Sequence, residues 1–101
     1  MKKLFFITRH VATKEQVELA TKHGYEIESV GDIDAFGDHA QLHALIERAN
    51  ECGGAIAVVH PALALRVRAG LWNGRVAVFE NGNRAPEGEK PQFFAKELHF
   101  F

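Results

Sequence analysis

Two short, uninterrupted apolar runs constrain this chain most: Leu4-Phe5-Phe6-Ile7 and Ala55-Ile56-Ala57-Val58-Val59. A strand with one wet face alternates apolar and polar side chains. A strand with no polar position is covered on both faces, as in parallel sheets flanked by helices. Signals for such helices follow each run. Thr13 with Gln16 three residues later is a capping-box pattern, and Gly24 suits a C-cap, so a helix is predicted from about Thr13 to His23. Val17, Leu19 and Ala20 would form its inner side. Tyr25 to Val30 then alternates, with Tyr25, Ile27 and Ser29 opposite Glu26 and Glu28, which predicts a more exposed strand near a sheet edge.

Gly31 to Gly37 reads as a turn-rich connection. Asp38 can cap a second helix, in which Leu42, Leu45, Ile46 and Ala49 recur at helical spacing until Cys52-Gly53-Gly54 ends it. After the second apolar run, Pro61 and Gly70 bracket a third helix. Leu63, Leu65 and Val67 against Arg66 and Arg68 also fit a strand's alternation, but both boundary signals favour helix. Val76 to Phe79 is a further strand, Asn81 to Pro91 a long polar loop, and Phe93 to Phe101 a final strand antiparallel to an earlier one. The expected architecture is a minimal Rossmann-like α/β sandwich of three layers, a single domain of residues 1–101. Its sheet is mainly parallel, with right-handed crossovers and a C-terminal antiparallel strand.

Composition narrows the function. With 101 residues, 47% of them hydrophobic, folding hides only about two-thirds of the chain's surface. A deep private cavity is hard to build at that size, which favours a site shared by two copies. A net charge of −1 excludes a polybasic DNA-binding coat but allows a local anion site made by a few Arg and His residues. A lone cysteine, Cys52, excludes an internal disulfide framework and a Cys-based zinc cluster. Leu4 to Ile7 is too short for a signal peptide or a membrane span, so the expected location is the cytoplasm, away from any membrane. Walker, Gly-x-Gly-x-x-Gly, Cys-x-x-Cys and Gly-x-Ser-x-Gly motifs are all missing from the sequence.

In open α/β sheets ligands bind outside the carboxyl ends of the strands, near the switch in strand order. Thr8-Arg9-His10 ends the first strand, His60 ends the third, and Pro61-Ala62-Leu63 opens a helix with free backbone N–H groups. Asn81, Asn83 and Arg84 follow the fourth strand. If the first and third strands are neighbours, His10 and His60 lie on adjacent lips of one cleft, about 5 Å apart at the backbone. Two imidazoles, an Arg and a helix N-terminus suit a phosphate. One imidazole can take the proton of a ribose 2′-hydroxyl while the other gives one to the leaving oxygen, with Arg9 or Arg84 holding the developing charge. That route needs no metal and no cofactor.

Other polar residues read as structural. His23 falls in a helix's last turn, where positive charge suits the dipole. His39 and His43 have the i,i+4 spacing that can grip zinc but no third ligand nearby. Asp32 and Asp34 read as turn formers, and His99 as unremarkable. Cys52 is expected to be a small buried hydrophobe. Trp72 is either a core plug or a partner contact. Phe93, Phe94, Phe100 and Phe101 belong to sheet core or to a dimer surface.

The strand ending in Thr8-Arg9-His10, the helix, Gly24 and alternating strand leading toward Asp34, and the run from Ala55 through a Pro-started helix to Phe79 resemble the small stand-alone CRISPR-associated ring nucleases of type III systems. The likeness spans roughly three-quarters of the chain and departs at Asn81 to Pro91. It implies a homodimer that binds a cyclic oligoadenylate, expected to be cyclic tetra-adenylate, across its two-fold axis. It also implies metal-independent cleavage to linear products with a 2′,3′-cyclic phosphate, switching off the antiviral signal. On this reading His10 and His60 are the acid/base pair, and Thr8, Arg9 and Arg84 contact phosphate. The cleft would be completed by Pro61, Ala62, Asn81 and Asn83. Arg9-His10 and Val58-Val59-His60 are also similar to the histidine phosphatases. Val11 replaces the glycine expected there, and no segment supplies a second phosphate-clamping Arg. A third reading keeps the cleft but not the chemistry: a sensor or sponge for a cyclic nucleotide.

Overall fold

The computed structural model describes residues 1–7, 11–31, 39–58, 61–83, 88–90 and 93–101, and of residues 39, 61, 83 and 93 the backbone alone. The elements run β1 (Lys2–Ile7), α1 (Lys14–Lys22), β2 (Tyr25–Gly31), α2 (His39–Cys52), β3 (Ala55–Ala57), α3 (Pro61–Gly70), β4 (Arg75–Asn83) and β5 (Phe93–Phe100). One five-stranded sheet has the order β2-β1-β3-β4-β5, parallel except for the antiparallel β4–β5 pair. This is a mixed α/β fold that fits a Rossmann-like arrangement at the coarse level. Among the described residues, no helix is long and apolar enough to cross a membrane.

The apolar runs behave as their composition requires. Along β1, Phe5 and Ile7 point into one core with Ile56, Val58 and Val76, while Leu4 and Phe6 point into another with Ala55, Ala57 and Ala77. Helices α2 and α3 seal the first core through Leu42, Leu45, Ile46 and Ala49, and through Leu63 and Val67. Each such buried leucine, isoleucine or valine stabilises the fold by about 2 kcal/mol. Helix α1 closes the second core through Ala20, with Leu19 half-buried beside it. Val17, expected on that inner side, is instead 45% exposed, because a helix seated on Ala20 and Leu19 turns position 17 toward solvent.

The second face is lined by three fully buried alanines, Ala55, Ala57 and Ala77. Their small side chains leave room for aromatic rings from several strands. Phe6 meets Phe79 at 5.2 Å between ring centroids, and Phe100 of β5 stacks on Tyr25 of β2 at 5.1 Å. Strands at opposite edges of a flat five-stranded sheet cannot touch, since four spacings of about 4.8 Å separate them. The sheet therefore curls, bringing β5 over the same face that α1 covers.

Helix ends follow the sequence. Thr13 Oγ1 accepts from the Gln16 N–H at 3.2 Å, and Gln16 Oε1 accepts from the Thr13 N–H at 2.9 Å. Gly24, just past the C-cap, has φ +83°, a conformation that costs glycine nothing. At the end of α2, buried Asn50 ties down the turn that follows α3. Its Nδ2 donates to the Gly70 carbonyl, and its Oδ1 accepts from the N–H groups of Trp72 and Asn73.

Three expectations are corrected. The fourth strand is Arg75–Asn83 rather than Val76 to Phe79, so Asn81 and Asn83 are strand residues. Cross-strand pairing with Ala95 and Phe93 holds them extended, which outweighs the low strand propensity of Asn and Gly. Gly82 fits because its missing side chain leaves space for Phe94, whose ring lies 2.7 Å from where a Cβ would stand. Cys52 is exposed rather than buried, since it ends α2 on the water side. Ser29 is exposed too, leaving Tyr25 and Ile27 as the residues of β2 that face the second core, while Val30 packs against the first. Trp72 proves to be no core plug and stands in solvent. The expected turn from Gly31 to Gly37 and the Asp38 cap fall almost wholly outside the described residues, as does Val59.

Candidate functional site

Strand order sets where a ligand can approach. The chain moves from β1 to β2 on one side, then returns to place β3 on the other side of β1. The switch in strand order therefore falls between β1 and β3, and in open α/β sheets a ligand approaches at the carboxyl ends of two such strands. Their register, Phe6 opposite Ala57, sets Ile7 and Val58 side by side at the rim. Helix α3 begins at Pro61 beside it, with Ala62 half-buried in the first turn.

The β4–β5 hairpin makes a wall at this end of the sheet. Beyond Ala77, which pairs with the last residue of β3, β4 continues to Asn83. That arm extends about 20 Å past the parallel strands. Asn81 is exposed on it, and Asn83 is its last residue. Both irregularities of strand pairing, at Phe6/Ile7 against β2 and at Glu80/Asn81 against β5, lie toward the same carboxyl end. Bulges of this kind bend a strand and re-aim its side chains. Of the residues singled out in the sequence, the structure thus gives positions for Ala62, Asn81 and the backbones of Pro61 and Asn83. Thr8, Arg9, His10, His60 and Arg84 lie outside the described residues, as do Asp32 and Asp34.

Three other histidines, His23, His43 and His99, have partners that sequence reading did not foresee. His23, at the end of α1, meets Glu97 of β5 at 3.3 Å and the edge of the Phe100 ring at 5.3 Å. His99 meets Glu80 across the hairpin at 3.0 Å, and Lys96 stands 3.6 Å from the other oxygen of that carboxylate. The His99 hydrogen bond, helped by Lys96, holds the Glu80 carboxyl below the usual carboxylate range. The Leu98 backbone N–H and then His23 do the same for Glu97. Antiparallel register brings Glu80 and His99 together, and nothing local in the sequence announces that register. His43 pairs with Glu47 at 3.0 Å along α2. Among the described residues, no group of three His, Cys, Asp or Glu side chains is placed to hold a metal ion.

The fold thus defines a class: a small mixed α/β protein whose sheet changes strand order between β1 and β3. Comparison with protein-family models, with curated proteins and with solved structures finds no match in any of the three.

Proposed function

We propose that this protein is a metal-independent ring nuclease, cleaving a cyclic oligoadenylate at the carboxyl ends of β1 and β3. One observation carries the reading: the switch in strand order falls between the two strands whose following residues are Thr8-Arg9-His10 and His60. Finer features of the reading are a minimal Rossmann-like sandwich of three layers and a homodimer that holds the ring across its axis.

The chemistry follows from the residue types. One of His10 and His60 accepts the proton of a ribose 2′-hydroxyl, whose oxygen attacks the adjacent phosphorus. The bond from phosphorus to the 5′-oxygen breaks, and the other histidine protonates that oxygen as it leaves. The product is a linear strand with a 2′,3′-cyclic phosphate and a free 5′-hydroxyl. Arg9 and Arg84 neutralise charge on the phosphoryl oxygens, with Thr8 as a further donor and the start of α3, at Pro61 and Ala62, lining the site. Asn81 and Asn83 on the hairpin arm would contact the ring from the side.

Two variants test the proton relay. His10→Ala and His60→Ala are each expected to lower cleavage at least a hundredfold, about the scale of lost general acid–base help, while binding of the ring persists. An unchanged rate in both would sink the mechanism. Tight binding of rings that are never cut would replace it with a sensor or sponge.

A further inference from the structure

Helices α2 and α3 cover the same face of the sheet and connect parallel strands, so they lie side by side and point the same way. Their outward faces are chemically opposite. On α2, Ala44, Glu47 and Glu51 recur at i, i+3, i+7, all exposed on the side away from buried Leu45 and Ala49. On α3, Leu65 and Arg68 are exposed at i, i+3, and Trp72 follows at i+7 in the turn beyond the helix. Leu65 is 72% and Trp72 79% exposed. The Asn50 hydrogen bonds fix the turn carrying Trp72, so the backbone bearing that ring is already ordered.

Two charges on this surface lack opposites. Glu51 stands in the last turn of α2, the negative end of the helix dipole, where an acidic group is unfavourable and where α2 has no basic residue. Neither Glu51 nor Arg68 has an ion-pair or hydrogen-bond partner among the described residues. Glu47 is engaged by His43 at 3.0 Å.

We propose that this face docks a second copy of the chain about a two-fold axis running along the helices, with α2 of each copy against α3 of the other. That axis preserves helix polarity, so the last turn of α2 meets the last turn of α3 in the partner and brings Glu51 to Arg68 of the partner subunit. The symmetry makes the contact twice. Leu65 and Trp72 are then covered beside the small side chain of Ala44, and an ordered Trp with an Arg is the composition of an interface anchor. The perpendicular axis sets α2 on α2 and α3 on α3 in antiparallel pairs, and α3 has no acidic side chain to meet Arg68. An axis along the helices also runs along the strands, so the carboxyl ends of β1 and β3 in both copies open at the same end of the dimer. Only the use of that shared end by one ring rests on the proposed function.

Sedimentation of the full chain, without any nucleotide, tests the interface. The wild type is expected to dimerise. Arg68→Glu and Glu51→Arg alone are each expected to weaken association at least tenfold, while the double exchange restores it to within about threefold, since the pair re-forms with its signs swapped. Trp72→Ala is expected to weaken it at least tenfold. Far-UV circular dichroism and urea midpoints identify any variant that fails to fold. A wild type that stays monomeric at ~100 μM, or a dimer indifferent to both single reversals, would overturn the proposal. Ring cleavage is measured separately, so a dimer without turnover counts against the nuclease reading and not against this interface.

Discussion

Replacing Asn50 with leucine keeps most of the side chain's volume and removes its polar atoms, which isolates the hydrogen bonds that hold the turn after α3. Three are lost: Nδ2 to the Gly70 carbonyl at 3.1 Å, and the Trp72 and Asn73 N–H groups to Oδ1 at 2.9 and 3.1 Å. A typical intramolecular hydrogen bond contributes about 1 kcal/mol net, and stranded backbone groups make the loss no smaller. The expected cost is therefore about 3 kcal/mol, a large share of the roughly 5–15 kcal/mol that stabilises a domain. With a urea slope of about 1.5 kcal/mol per molar, the midpoint should fall by about 2 M. Far-UV circular dichroism is the right probe, since Trp72 sits on the perturbed turn. Asn73→Ala, which removes only the bond from Nδ2 to the Asn50 carbonyl at 2.8 Å, should cost about 1 kcal/mol. A midpoint shift under about 0.3 M for Asn50→Leu, or a larger shift for Asn73→Ala, would refute the claim that Asn50 locks this turn.

Two further outcomes follow from the second face of the sheet. Ala77→Leu puts a branched side chain where only alanines fit beneath the curled β5, and should destabilise by about 1–3 kcal/mol. That would lower the thermal midpoint by at least about 4 °C; an unchanged midpoint would mean the face has slack. The carboxyls of Glu80 and Glu97 are held below the ordinary glutamate value of about 4.3 in the folded chain by their hydrogen bonds, so the unfolded chain takes up protons first as pH falls. Their contribution is complete above about that value and is lost as pH drops through their folded values. Glu80→Gln and Glu97→Gln should each lower the urea midpoint at pH 6, and the difference from wild type should vanish toward pH 3. A difference that stays constant over this range would contradict the assignment.

The parts of the fold legible in the sequence are those written in local chemistry. The capping box of Thr13 and Gln16, the helical spacing of Leu42, Leu45, Ile46 and Ala49, and the uninterrupted run at Leu4 to Ile7 each need only nearby residues to declare their structure. The segment from Pro61 to Gly70 carried two patterns, and the helix prevails because Leu63 and Val67 are buried four apart while Leu65 faces water. What local chemistry hides is decided by distant partners. The polar stretch from Asn81 to Asn83 looks like a loop and becomes strand because β5 pairs with it. Val17 belongs to a well-read helix, yet the seat of α1 on the sheet turns it outward. Of the candidate site, sequence marks strand ends and a helix start, and topology explains why those ends adjoin: β1 and β3 are neighbours across the switch. The pairing of His99 with Glu80 and of His23 with Glu97 depends on register and curl, which no short motif encodes.

One measurement bears most directly on the central claim. Purified protein is incubated with cyclic tri-, tetra- and hexa-adenylate in EDTA, and the products are separated by chromatography. Conversion of one ring, cyclic tetra-adenylate above all, to linear strands ending in a 2′,3′-cyclic phosphate is the expected result, with His10→Ala and His60→Ala inactive. All three rings recovered intact and unbound would contradict it.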